Sequence, residues 1–389
     1  MIENFIHDIP TKYYFGKDVI KHLDEELRKY GNKILLAYGG GSIKRIGLYQ
    51  KIIDILNTGN FEYAELSGIE PNPRIESVIE GVKLCREFKC DVILAVGGGS
   101  TIDCAKAIAS GYYYNGDLWE MVKGPRSLKK SLPLIDILTL SATGSEFDGV
   151  GVISNLDTNE KMGNSYTYPR VSFCDPTYTF SVSDYQTAAG SFDIMSHVIE
   201  GYFSDSDDSD LADDIAESIL RTVMKYTPVA LSDSDDYVAR ANLMHCSSIA
   251  CSGIPEYGKR KVPWPCHSME HELSAYYDIT HGAGLAILTP RWMRYILQKD
   301  AKTIKRFSRF ARNVMGLMGE DSYDLSIRGI EAFEEYIRST SLPMTLTELG
   351  IDDINFENMA LHANRNQKLK ASYVPLDEKD IIEIYKMCI

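Results

Sequence analysis

One aspartate and four histidines have the types and spacing of a divalent-metal site. In Asp193-Ile-Met-Ser-His197 the two polar residues stand four apart. On a helix that spacing puts both side chains on one face, about one turn apart. His267 and His271 repeat the interval, and His281 follows shortly after. A carboxylate with several imidazoles suits a borderline ion such as Fe2+ or Zn2+. Asp193, His197, His267 and His281 would form a one-Asp, three-His set that leaves the ion a residual positive charge. Such a centre can act as a Lewis acid on a carbonyl oxygen. Spacing alone does not choose three of the four histidines, and it leaves a purely structural ion open.

Two glycine runs suggest phosphate chemistry. Gly97-Gly98-Gly99-Ser100 follows the strand-like 91–96 and leads through Thr101 and Ile102 into Asp103 and a helix. Glycines let the backbone approach a phosphate closely, and the helix start adds unpaired N–H groups and a positive dipole end. A tight turn without a ligand would use the same residues. Neither run matches GxGxxG or a P-loop, so an ordinary dinucleotide or NTPase label is weak. The first run, Gly39-Gly40-Gly41-Ser42, is followed by Lys44 and Arg45 and contains no acid. An acid in such a place commonly accepts the adenosine ribose 2′-OH of NAD. Small residues and cations accommodate a 2′-phosphate instead, which favours NADPH over NADH if this loop reaches the ribose. A solvent-facing helix start explains the two cations equally well.

The elements that must position these residues follow from periodicity. Residues 33–38, 91–96, 133–140 and 149–154 read as strands, and 11–17 as a possible edge strand. Helical spacing follows in 43–56, in 75–85 after Pro73, and in 102–108. This alternation predicts a parallel sheet with helices on its faces. Beyond Asp175-Pro176 no convincing β-run occurs; 186–203, 211–231, 236–251, 285–297, 301–318 and 323–340 read as helices. The expected organisation is an α/β dinucleotide-binding domain over 1–180 and an all-α metal-binding domain over 181–389. The acidic run 205–210 lacks the glycine and glutamate of a calcium loop and reads as a solvated connection with N-caps.

Composition narrows the class. The chain has 389 residues, 44% hydrophobic and 25% charged, enough to build sizeable cores. A net charge of −14 argues against a nucleic-acid surface. No apolar run is long enough to span a membrane, and the N-terminal residues lack the pattern of a signal peptide. The eight cysteines are scattered, with no CxxC pair. That is the usage of a reducing compartment, and the expected location is the cytoplasm.

The chain resembles the iron-containing (group III) alcohol dehydrogenases, and within them the NADPH-dependent butanol dehydrogenase branch. The resemblance is carried by 38–45, 68–74, 96–106, 138–146, 175–179, 193–197 and 267–286, in family order across nearly the whole chain. It implies a dehydroquinate-synthase-like fold with the active site in the cleft between the two domains. It assigns the metal to Asp193, His197, His267 and His281, and leaves His271 near the nicotinamide as a candidate proton donor. It places Gly97, Gly98, Gly99, Ser100 and Asp103 at the pyrophosphate and nicotinamide side of NADP(H). Thr139, Leu140, Thr143 and Lys161 should line the cofactor, and Gly39, Gly40, Gly41 and Ser42 should face the ribose. It further implies reduction of small aliphatic aldehydes such as butanal, and a homodimer with 11–17 as a contact. Phe147 departs from the branch pattern, and 257–266 is a variable stretch, so chain-length preference is not fixed. An NAD-linked polyol or glycerol dehydrogenase, or a dehydroquinate-synthase-like lyase, would share the fold. Lys259, Arg260 and Lys261 are cations of the kind a lyase needs for an anionic substrate. Phe147, Ile254 and Trp264 point instead to an apolar aldehyde. A non-catalytic cofactor sensor is a further alternative.

Overall fold

The computed structural model describes residues 2–124 and 130–389. The chain forms the expected α/β part followed by a helical part. Among the described residues there are eight strands: β1 (Lys12–Phe15), β2 (Lys33–Tyr38), β3 (Glu62–Leu66), β4 (Val92–Gly97), β5 (Leu134–Leu138), β6 (Val150–Asn155), β7 (Glu160–Ser165) and β8 (Val171–Cys174). Six of them make one parallel sheet in the order β1-β8-β5-β4-β2-β3. β6 and β7 form a separate antiparallel hairpin. The expected strand at 149–154 therefore exists but does not join the sheet.

The central strands are apolar throughout because both faces are covered. Alternate residues feed two cores. Leu35, Ala37, Ile93 and Ala95 pack with Val78, Val82, Ile102 and Ile108 on one face. Leu36, Leu94, Val96 and Ile137 pack with Leu23, Leu27, Ile52 and Leu56 on the other.

Two compact units result. One comprises 7–182 together with 234–248, and the other comprises 183–233 and 249–389 with the first few residues. A single break near 180 thus misses a return: helix Tyr237–Ala250 sends all but its last two residues back to the α/β unit. Met244 joins one core of the sheet. Ser248 Oγ donates to Glu146 Oε1 at 2.6 Å and lies 2.8 Å from Tyr13 Oη. Among the described residues, every element after Cys174 is helical. Among the described residues, no helix is long and apolar enough to cross a membrane.

Candidate functional site

Three helices carry the histidine cluster, all within the helical unit. Helix Asp184–Tyr202 is capped by Ser183, whose side chain accepts from Gln186 N, and it is buried from Thr187 onward. It supplies Asp193 and His197. Helix Pro265–Tyr277 begins with proline at its first position, where a missing N–H costs nothing, and supplies His267 and His271. Helix His281–Lys299 opens on His281 itself. Its second residue is Gly282, where a Cβ would stand 2.0 Å from the Ala189 carbonyl oxygen. Only glycine allows this approach, and Ala189 lies one turn before Asp193.

The four expected ligands come together. Donor atoms of Asp193, His197 and His267 all lie within 4.8 Å of one another. His197 Nε2 is 3.7 Å and His281 Nε2 is 3.6 Å from Asp193 Oδ1. Two donors bound to one ion at about 2.1 Å in tetrahedral geometry stand about 3.4 Å apart, so these separations fit a shared ion. The His197 and His267 rings are 4.8 Å apart, and those of His267 and His281 5.3 Å. His267 Nε2 is buried without a hydrogen-bond partner. An orphaned buried imidazole nitrogen beside a buried carboxylate is what a metal centre requires. His271 is half-buried, one turn from His267, with its ring 5.7 Å from that of His281.

Two residues that sequence reasoning missed complete the cluster. Glu200 accepts from His267 Nδ1, and Glu270 pairs with His281 Nδ1. Glu270 also groups with His271 and His281 as a possible donor set. Because its carboxylate faces His281 Nδ1 while His281 Nε2 faces Asp193, Glu270 backs the ring rather than opening a second site. Burial drives the His197 pKa well below its ordinary value, and the neighbouring His267 and His281 rings add to this. Burial also disfavours charge on His267, but the Glu200 carboxylate outweighs it and the pKa is raised. Trp264 closes over the cluster, its ring 5.0 Å from His267 and 5.7 Å from His197.

The α/β unit carries both glycine loops. β4 ends at Gly97, and Gly98 precedes helix Gly99–Gly111 with no side chain capping it. A Cβ on Gly99 would meet Thr143 Oγ1 at 2.2 Å, and one on Gly98 would meet Leu140 Cβ at 3.2 Å. Thr139 N donates to Gly97 O at 2.9 Å. Thr139, Leu140 and Thr143 are therefore gathered against this loop. Asp103 is 8% exposed and accepts from Ser145 Oγ at 2.5 Å and Val152 N at 2.8 Å. Its carboxylate ties the 139–145 segment and the hairpin to the helix, and burial raises its pKa to about 6. Lys161 is buried on β7, opposite Ser154.

At the first loop, Gly39 leans on the Ile69 carbonyl, and nothing stands within 4 Å of where a side chain would begin at Gly40 or Gly41. Ser42 opens the short helix Ser42–Arg45. Lys44 Nζ rests over the rings of Tyr49 and Tyr38, at 4.7 and 5.2 Å. Both tyrosine hydroxyls donate to Glu65 on β3, at 3.0 and 2.7 Å. An acid thus does stand beside this loop, supplied by the neighbouring strand and invisible in the local sequence. Phe147 packs edge-on against Tyr13 at 5.2 Å.

Residues 10–176 match the family described as iron-containing alcohol dehydrogenase, and 187–389 match the Fe-containing alcohol dehydrogenase family, C-terminal. The chain is 51% identical to NADH-dependent butanol dehydrogenase A of Clostridium acetobutylicum, covering 98% of this chain and 99% of that protein. It is 33% identical to the NADPH-dependent aldehyde reductase YqhD of Escherichia coli, over 90% of each. The crystal structure of a NADH-dependent butanol dehydrogenase A from Thermotoga maritima superposes with a TM-score of 0.94 at 40% identity, covering 100% and 99% of the two chains. The chain belongs to the iron-containing alcohol dehydrogenase family.

Proposed function

We propose that this alcohol dehydrogenase interconverts small aliphatic aldehydes, such as butanal, and their alcohols, using a divalent metal and NADP(H). The observation that carries the reading is the buried donor set of Asp193, His197 and His267, with His281 Nε2 3.6 Å from Asp193 Oδ1 and His267 Nε2 without a hydrogen-bond partner. These four residues would hold Fe2+, with Zn2+ as the alternative. When bound, the metal supplies electrophilic polarisation of the carbonyl oxygen, and the dihydronicotinamide supplies the hydride.

The chain's own residues do the rest. The uncapped helix start at Gly98-Gly99-Ser100 receives the pyrophosphate. Thr139, Leu140, Thr143 and Lys161 orient the dinucleotide. Trp264 presents an apolar wall at the cluster, which suits an alkyl chain and excludes water. His271, one turn from His267, is positioned to move a proton to or from the alcohol oxygen. Two of the three cations a lyase would need are already engaged: Lys259 is held by Asp213 in a buried pair, and Arg260 is drawn toward Asp205.

The absence of an acid in 39–45 and the presence of Lys44 and Arg45 support NADP(H). NADH is the second reading, favoured by Glu65 beside Lys44 and by the names of the clostridial relatives. β1, at the sheet edge, is the strand we propose for homodimer formation, and the cytoplasm the location. The deciding experiment combines elemental analysis of freshly purified protein with initial rates for C2–C8 aldehydes and both cofactors. A preparation free of metal that still reduces butanal at the full rate would overturn the proposal.

A further inference from the structure

We propose that Glu200 and Glu270 are positioning residues of the metal centre, each fixing one histidine so that its Nε2 points at the ion. The proposal rests on the reading of Asp193, His197, His267 and His281 as ligands. A neutral imidazole carries one N–H and one lone pair. A carboxylate accepting at Nδ1 keeps the proton there and leaves the lone pair on Nε2. His267 Nδ1 faces Glu200, and its Nε2 is buried and unpartnered. His281 Nδ1 faces Glu270, and its Nε2 stands 3.6 Å from Asp193 Oδ1. Both carboxylates are almost wholly buried. Two histidines thus have the same arrangement, built from different helices. His197, by contrast, has a buried Nδ1 with no hydrogen-bond partner.

The two glutamates also link the three helices in a closed ring. Glu200, on Asp184–Tyr202, accepts from the backbone N–H groups of Cys266 at 2.6 Å and His267 at 2.9 Å. One side chain therefore caps helix Pro265–Tyr277 and steers the imidazole that the helix carries. Glu270, on that second helix, holds His281 at the start of the third and also accepts from Ser274 Oγ. His281 then returns to Asp193 on the first. The negative charge delivered to each ring makes its nitrogen a better donor, and loss of such partners typically weakens metal binding about 10–100-fold.

The test uses the full-length chain stripped of metal and titrated with Co2+ against a competing chelator, with the visible Co2+ bands recorded. Wild type, Glu200→Gln, Glu270→Gln and Ser274→Ala are compared. The glutamine variants keep shape and an acceptor oxygen but lose the charge. Each is expected to bind Co2+ roughly 10–100-fold more weakly, with shifted bands. Metal-free Glu270→Gln should melt no lower than wild type. Ser274→Ala, which removes only a hydroxyl from Glu270, should bind Co2+ as wild type does. Wild-type uptake with both glutamine variants within about threefold of it would overturn the positioning role. Failure of wild type to take up Co2+ at this cluster would instead overturn the metal reading and, with it, this proposal.

Discussion

The Lys259 ammonium stands 2.6 Å from the Asp213 carboxylate, and neither side chain reaches solvent. Arg306 and Arg309 meet the same carboxylate at 2.5 and 3.4 Å. Breaking a buried pair from one side strands the remaining charges. Asp213→Ala should destabilise the helical unit by about 3–5 kcal/mol, measured by denaturant unfolding. A loss below about 1 kcal/mol, the value of an exposed pair, would show that water reaches the cluster.

His267→Ala removes a nitrogen that has no other buried partner. Metal content and turnover should fall together, turnover by roughly a thousandfold, the scale of a lost electrophile. Elemental analysis alongside butanal reduction checks this. Retention of activity after loss of the metal would separate the cluster from the chemistry.

Trp264 lies against His267 and His197, so its truncation should act on the alkyl chain. We expect Trp264→Ala to raise KM for butanal about tenfold while changing ethanal little, since the loss is apolar contact made equally in ground and transition states. An equal effect on both aldehydes would move the alkyl pocket elsewhere.

Lys44 is the cation whose role divides the two cofactors. If its ammonium leaves the Tyr38 and Tyr49 faces to meet a 2′-phosphate, Lys44→Ala should lower kcat/KM for NADPH about 10–100-fold and spare NADH. Parallel losses with both cofactors would mean that Lys44 only braces the loop against Glu65.

Glu146 gives a pH prediction. Burial raises its pKa from 4.5 to about 7. The folded state therefore binds the proton more tightly than the unfolded chain does. Its contribution is most favourable below pH 4.5 and is lost as pH rises toward 7. Over that window the change is about 3 kcal/mol at about 1.4 kcal/mol per unit. Glu146→Gln has no such proton to lose, so its melting temperature relative to wild type should rise between pH 5 and pH 8. A constant difference would place the Glu146 pKa near its ordinary value.

What was legible in the sequence was set by burial. β2 and β4 are covered on both faces, so Leu35, Leu36, Ile93 and Leu94 form continuous apolar runs that are easily read. β3 lies at the sheet edge as Glu-Tyr-Ala-Glu-Leu, and β7, Glu-Lys-Met-Gly-Asn-Ser, belongs to a hairpin outside the sheet; neither has a run to find. β8 is buried but only four residues long. Helices Pro265–Tyr277, Phe356–Ala363 and Glu378–Lys386 lie outside the helical segments expected from periodicity, although the first shows itself in the His267–His271 spacing. The candidate ligands were legible because histidine is scarce in this chain. Glu200 and Glu270 were not, because acids number 55 and nothing local marks which one meets an imidazole. Glu65 was hidden for a related reason: it reaches the first glycine loop across a strand pairing, not along the chain.

The return of residues 234–248 to the α/β unit constrains how that unit can be made. As the polypeptide leaves the ribosome, all eight strands emerge before the helix bearing Met244 and Ser248. Until it arrives, Glu146 lacks its hydroxyl donor and the sheet lacks part of one apolar cover. A nascent chain halted near residue 182 is thus missing an inner piece of its own first half, and cutting there would yield a fragment with part of its core uncovered instead of a free-standing α/β unit.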